Sequence, residues 1–108
     1  MMGAGRYRHP VEIQHKSWVQ DPLTGEMRED WTTYARVWAA VEDLSGREFW
    51  AAQQVQSEVT TRVRFRYLPG VEPSMRVLHA GRQLEIVAVL EPDGTRRELQ
   101  LLCKELVE

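Results

Sequence analysis

The hydrophobic positions of this 108-residue chain fall mostly on alternate residues. A period of two, rather than 3.6, marks half-buried β-strands. From His9 to Trp18, Val11 and Ile13 share one face, and Glu12, Gln14 and Lys16 share the other. Asp21-Pro22-Leu23-Thr24-Gly25 then predicts a turn, with Pro fixing φ and Gly supplying a positive φ at its end. A second strand is expected from about Trp31 to Asp43. It places Val37, Ala39 and Val41 opposite Tyr34, Arg36 and Trp38. Alternation returns from Glu58 to Leu68, where Thr61, Val63, Phe65 and Tyr67 oppose Arg62, Arg64 and Arg66. After a turn-rich stretch, Met75 to His79 forms a short strand closed by Ala80-Gly81. From Gln83 to Glu91, Leu84, Ile86, Ala88 and Leu90 oppose Val87 and Val89. Apolar residues on both faces place this strand centrally or under an outer cover. Pro92-Asp93-Gly94-Thr95 predicts a hairpin turn. The last strand, Arg96 to Glu105, turns Leu99, Leu101 and Cys103 to one side.

One segment breaks this rhythm. Leu44 to Ser57 opens with Ser45 and, three residues on, Glu48, the form of a capping box. Its apolar residues Phe49, Trp50, Ala51 and Ala52 are consecutive rather than helically spaced. A lone helix of about ten residues is marginal in water, so a short helix or a partly ordered loop is expected. Five or six antiparallel strands with short turns must bury one sheet face and cover their edges, and closing into a small barrel or a sandwich does both. The predicted fold is therefore mainly β: a small antiparallel β-barrel of five to six strands, with a long loop or short helix between strands two and three. Residues 1–7 are expected to form a flexible N-terminal tail, and 8–108 a single domain carrying a partner-contact loop at 44–57.

Composition narrows the class without naming a chemistry. The net charge is −2, from 14 basic and 16 acidic residues, which is not the bulk charge of a nucleic-acid coat. Among the basic residues only Lys16 and Lys104 are lysines, the rest being arginines. Arginine suits interfaces, where its planar fork pairs with carboxylates or stacks on rings; a GC-rich codon bias would give the same count. Apolar runs are far shorter than the roughly 20 residues of a membrane span. Met1 to Arg6 lacks the apolar stretch of a signal peptide. The single cysteine, Cys103, cannot form an internal disulfide and fits a reducing compartment.

No residue set is arranged for catalysis. His9, His15 and His79 are scattered without metal-ligand spacing, and there is no P-loop, HExxH, GxSxG or GxGxxG. Cys103 alternates with Leu99 and Leu101, which predicts a buried, inert thiol. No enzyme activity, metal or cofactor is expected. Arg62, Arg64 and Arg66 allow two readings: a solvated strand face, or a stripe that meets acidic groups of a neighbouring subunit or DNA phosphates. Phe49 and Trp50 also allow two: rings tucked on the barrel, or a docking anchor on a mobile loop. Trp18, Trp31 and Trp38 are expected in the core or at the barrel ends.

The order of several short motifs carries a resemblance over residues 8 to 105. They are Arg8-His9-Pro10-Val11-Glu12-Ile13-Gln14, Asp21 with Thr24-Gly25-Glu26, Trp31, Val37-Trp38-Ala39-Ala40-Val41, Gly46-Arg47-Glu48 and Ala52-Gln53. After them come Val63-Arg64-Phe65-Arg66-Tyr67, Met75-Arg76-Val77, Gly81-Arg82-Gln83-Leu84-Glu85-Ile86 and Leu99-Gln100-Leu101-Leu102-Cys103-Lys104-Glu105. In this pattern the chain resembles the head–tail joining family of long-tailed phages, also described as head-closure, head–tail adaptor or stopper proteins. Many members carry an aromatic where Leu84 stands. The resemblance implies a structural ring in the neck, twelve-fold like the portal, that closes the DNA-filled head and offers the tail a platform. It implies portal or adaptor protein on the head side, tail or tail-completion protein on the tail side, and genomic DNA passing without sequence specificity. It places the protein in the host cytoplasm during assembly and then in the virion, with no membrane partner.

On that reading Ser45, Gly46, Arg47 and Glu48 belong to a channel or ring-contact loop. Phe49, Trp50, Gln53, Arg62, Arg64 and Arg66 are candidate partner or subunit contacts. The arginine face and Glu42, Asp43, Glu91 and Asp93 are candidate complements across a heterologous ring contact. A tail-completion protein with a similar barrel is the first alternative. An OB-like nucleic-acid module is the second, and Phe65 and Tyr67, facing away from the arginines, count against it.

Overall fold

The computed structural model describes residues 7–44, 59–91, 94 and 96–106. Within them the chain forms six strands and no helix: β1 (His9–Gln20), β2 (Met27–Asp43), β3 (Thr61–Arg66), β4 (Arg76–His79), β5 (Arg82–Leu90) and β6 (Glu98–Leu106). Every pairing is antiparallel, and the strands close into a barrel in the order β1-β2-β3-β6-β5-β4. The seam that closes it, between β4 and β1, is three pairs long: Glu12 with Leu78, Ile13 with Val77, and Gln14 with Arg76.

The period-two positions meet inside. Val11, Ile13, Ala39, Val63, Phe65, Val77, Leu84, Ile86, Leu99, Leu101 and Cys103 form one buried cluster with Met75. β5 departs from simple alternation. Its register against β6 slips between Ile86 and Ala88, leaving Val87 as an unpaired bulge residue. Such a bulge moves every later side chain to the other face. Val89 therefore packs on the main core while Leu90 is exposed, the reverse of the alternation expected beyond Ile86. Val87 and Ala88 join Leu44, Val59 and Leu102 in a second, smaller cluster. This is the outer cover that two-faced apolarity implied.

The turns use the expected chemistry. The Asp21 carboxylate accepts from the Leu23 amide at 2.8 Å, and the Asp21 amide donates to the Glu26 carbonyl at 2.8 Å. Between β4 and β5 the two central residues, Ala80 and Gly81, have φ of 50° and 82°, as a two-residue type I′ hairpin requires.

Two expectations need correction. Tyr7, assigned to the tail, is 4% exposed, and its hydroxyl donates to Glu98 at 2.7 Å. A ring with a polar tip gains from this burial because the tip finds a carboxylate. β1 and β2 also run much further than their core contacts need. β3 pairs with β2 only from Ala39 to Asp43, and β4 with β1 only from Glu12 to Gln14. Beyond these limits the two strands continue as a two-stranded ribbon to the 21–26 turn, its base held to the barrel by Tyr34 on Pro69 and Trp31 under Arg76, and the molecule measures 51 × 31 × 26 Å.

Candidate functional site

The surfaces that could meet partners lie on this ribbon, on the arginine face and at the loop between β2 and β3. Residues 45–58 are outside the described residues, so the candidates Ser45, Gly46, Arg47, Glu48, Phe49, Trp50 and Gln53 lie outside them too. Their stems are held together. The Leu44 amide donates to the Thr60 carbonyl at 2.9 Å, the Thr60 amide donates to Cys103 at 2.9 Å, and Leu44 and Val59 are buried.

The arginine stripe is neutralised largely within the chain. Glu42 stands directly across β2–β3 from Arg62, and its carboxylate accepts from Arg62 Nε at 3.2 Å and Arg64 Nε at 2.7 Å. Arg64 also reaches Glu98 on β6 at 3.5 Å. Burial pushes the Glu42 carboxyl up, but the hydrogen bonds from Arg64 and Arg62 outweigh it and hold it below the ordinary carboxylate range. Asp43 pairs with Arg82 at 3.3 Å. Glu42 and Asp43, offered above as complements for another subunit, thus meet arginines of their own chain: the β2–β3 register sets Glu42 beside Arg62, and the Arg82 side chain reaches Asp43 from β5. Arg66, at the end of β3, is exposed and lines a cleft with Tyr7, Arg8, Val37 and Trp38.

The three described tryptophans are not core residues. Trp18 is 64% exposed and Trp38 is 62% exposed; Trp31 is half-buried. For Trp31 the cause is a bulge in β2, whereas Trp18 and Trp38 fall on the outer row by plain alternation. Ile13 pairs with Ala35 and Gln14 with Thr33, so Tyr34 is the extra residue. Toward the barrel from it, odd-numbered β2 residues face inward. Beyond it, Trp31 pairs with Lys16 and faces outward with Trp38, and Trp18, opposite Glu29, continues the same row. Trp31 is clamped there by the guanidinium of Arg76, 4.2 Å from the ring, and the ammonium of Lys16 at 5.4 Å. Arg76 in turn donates to Gln14 at 2.9 Å, Gln14 to Glu12 at 2.7 Å, and Thr33 to Glu12 at 2.6 Å. Those hydrogen bonds from Thr33 and Gln14, with Arg36 at 3.7 Å, hold the Glu12 carboxyl below its ordinary range. The tip adds Leu23, 93% exposed, and Met27, 57% exposed.

Trp38 stands between that cleft and a groove of about 530 Å³ across the outer face of β2, β1 and the β4–β5 hairpin. Pro10, Leu78 and Val37 give the groove its apolar wall, and Arg36 and Glu12 its charges. His79, at the groove's end, touches His9 edge to face with ring centroids 5.0 Å apart. Sequence spacing separates these two histidines by most of the chain, and only the β1–β4 seam brings them together. Burial, with the charges of His9 and Arg82, lowers the His79 pKa. Among the described residues no group of three or more His, Cys, Asp or Glu could hold a metal ion. Burial pushes the Cys103 thiol up to about 12, as an inert core thiol should be.

Comparison with known proteins gives a consistent answer. Residues 2–106 match the model of the phage head completion protein family. The chain is 31% identical to the head completion protein gp7 of Enterobacteria phage HK97, over 95% of this chain and 96% of that protein. A Shigella flexneri 2a protein known from a solution structure superposes with a TM-score of 0.79 at 31% identity, covering 99% of both chains. A chain of the native gene transfer agent virion shares the fold, with a TM-score of 0.57 at 23% identity over 92% of this chain and 94% of that one.

Proposed function

This chain belongs to the phage head completion protein family and is a structural protein of the virion, not an enzyme, and on that premise we propose that it forms a ring in the neck. The ring closes the DNA-filled head and gives the tail its attachment platform. The observation that carries this is the 31% identity to a head completion protein over nearly the full length of both chains. The ring is twelve-fold, matching the portal, with portal or adaptor protein above and tail or tail-completion protein below. Genomic DNA passes through it without sequence-specific contact. Assembly takes place in the host cytoplasm. The loop at 44–57 meets the channel or the next ring through Ser45, Gly46, Arg47 and Glu48, with Phe49, Trp50 and Gln53 as partner contacts. At its stems Leu44 and Val59 are buried, and the Leu44 amide donates to the Thr60 carbonyl. Arg66 is exposed on the cleft beside Trp38, and with Arg62 and Arg64 it remains a candidate partner or subunit contact.

The test is reconstitution. Purified protein added to DNA-filled, tailless heads is expected to protect the genome from nuclease and to permit tail joining. Heads that stay nuclease-sensitive at saturating protein would overturn the assignment. Protein found on the tail end instead of the head would favour a tail-completion role.

A further inference from the structure

We infer that the tip of the β1–β2 ribbon and the Trp38 surface are the two halves of one heterologous self-contact, the tip of one copy seating against Trp38 of the next. This rests on the proposed ring. It goes further by naming which two faces meet.

Both halves carry large apolar side chains that lie outside the two core clusters: Trp18, Leu23 and Met27 in one, Trp38 in the other. Large exposed apolar side chains gathered in patches mark contact surfaces, and tryptophan is the commonest anchor in them. The two halves cannot meet within one molecule. Trp18 and Pro10, the residue paired with Trp38, are on the same continuous strand. Eight residues of strand hold them roughly 27 Å apart, at about 3.4 Å per residue.

Charge decides how copies would pair. The tip carries Asp21, Glu26, Glu29 and Asp30 against Lys16 and Arg28, and Lys16 is already 3.6 Å from Glu29. By formal charge the Trp38 surface is basic, flanked by Arg8, Arg36 and Arg66, with Glu12, 3.7 Å from Arg36, the one acid among its described lining residues. Tip against tip would set acid against acid, and groove against groove would set arginine against arginine. Tip against groove joins opposite charges around an apolar centre. The favoured contact is therefore heterologous, and a heterologous contact repeats head to tail, the kind of contact a cyclic ring uses where the rotation between copies closes. Because one chain carries both complementary halves, a second copy is the occupant the surfaces fit.

The experiment uses two variants of the full chain: a tip variant, Trp18→Ser with Leu23→Ser, and a groove variant, Trp38→Ser with Arg66→Glu. All four positions are exposed, and circular dichroism checks that both variants fold. In sedimentation velocity at low salt, the wild type is expected to associate weakly, with Kd on the order of 0.1–1 mM, and less at high salt. Each variant alone should bind itself at least tenfold more weakly. An equimolar mixture should recover one contact and stop at the dimer, because the groove variant keeps an intact tip and the tip variant an intact groove. In that mixture the Trp18 indole signal of ¹⁵N-labelled groove variant should shift, and the Trp38 signal of labelled tip variant should shift. Wild type that stays monomeric at millimolar concentration would overturn the contact. So would an associating wild type whose variants fail to complement each other. A chain that closes heads yet fails here keeps the neck role and loses only this interface. A chain that passes here and leaves heads leaky does the reverse.

Discussion

At the residue scale, two backbone positions carry constraints that composition does not reveal. Gly70 has φ of +87°, and a Cβ there would overlap the hydroxyl of Tyr34, which donates to the neighbouring Pro69 carbonyl at 2.6 Å. Gly70→Ala is expected to destabilise the protein by about 1–3 kcal/mol in urea unfolding. Adding Tyr34→Phe should return part of that loss, since it removes the overlapping oxygen and leaves the φ cost. Ala80 is the reverse case, a side chain held at φ of 50° in the first central position of a type I′ turn. Asparagine tolerates that conformation better, so Ala80→Asn should stabilise by about 0.5–1 kcal/mol in the same assay. Cys103 is buried and its thiol is pushed up to about 12. Native protein should resist iodoacetamide at pH 8 and react only on unfolding. The sign for stability follows from the raised value: a thiol kept neutral in the fold contributes fully below its unfolded pKa, near 9, and the contribution is lost as pH rises toward 12. That Cys103 is inert could be read from its alternation with Leu99 and Leu101. The Tyr34–Gly70 approach could not, because it joins residues 36 apart through a bulge.

At the element scale, alternation located the six described strands and turn chemistry the turns at 21–25 and 80–81, because both signals are local; the turn expected from Pro92 to Thr95 lies, but for Gly94, outside the described residues. Alternation failed wherever a bulge intervened. One extra residue at Tyr34 turns Trp31 outward to join Trp38, and one at Val87 exchanges the roles of Val89 and Leu90. Register is a property of two strands, and a single-strand pattern carries no record of it. The same limit left the two readings of the arginine stripe open, because the counter-charges of Arg62 and Arg64 lie on β2 and β6. Glu42→Gln removes the carboxylate that Arg62 and Arg64 share, both side chains being less than a quarter exposed. We expect a loss of about 1–2 kcal/mol at pH 7, discounted for the partial exposure of Glu42. A carboxyl held low stabilises above its unfolded pKa, near 4.5, and ceases to as pH falls through its folded value. The variant should therefore lose less stability than wild type between about pH 5 and pH 3, measured by thermal unfolding across that range.

At the scale of the whole molecule, the barrel and the ribbon are separable. No residue from 14 to 36 belongs to either core cluster. Replacing residues 17–30 with Asn-Gly, so that Lys16 and Trp31 are joined by a two-residue turn, should leave the unfolding midpoint within a few degrees of wild type. Small-angle scattering should show the long dimension shortened from 51 Å by roughly 15–20 Å. If the ribbon tip is a self-contact, the shortened chain should also fail to associate. The sequence announced a barrel, since so many short strands in one domain have few other ways to cover their edges. It did not announce that two strands would outrun the barrel. Trp18 and Trp38, expected in the core or at the barrel ends, stand instead on the outer row of β1 and β2, where alternation exposes them.

The closing seam has a mechanical meaning. A ring of strands is as strong as its shortest splice, and here that splice is the three pairs between β1 and β4, whose strands no turn joins. The four pairs of β4 and β5 are tethered by their hairpin, and the β2–β3 and β3–β6 joints are longer. A tug on the ribbon is delivered along β1 to this clasp. The barrel should therefore yield first by unclasping there, giving an open curved sheet with five joints intact rather than a collapsed chain. In a single-molecule pull between residues 16 and 76, that opening should appear as a separate low-force step before the main rupture.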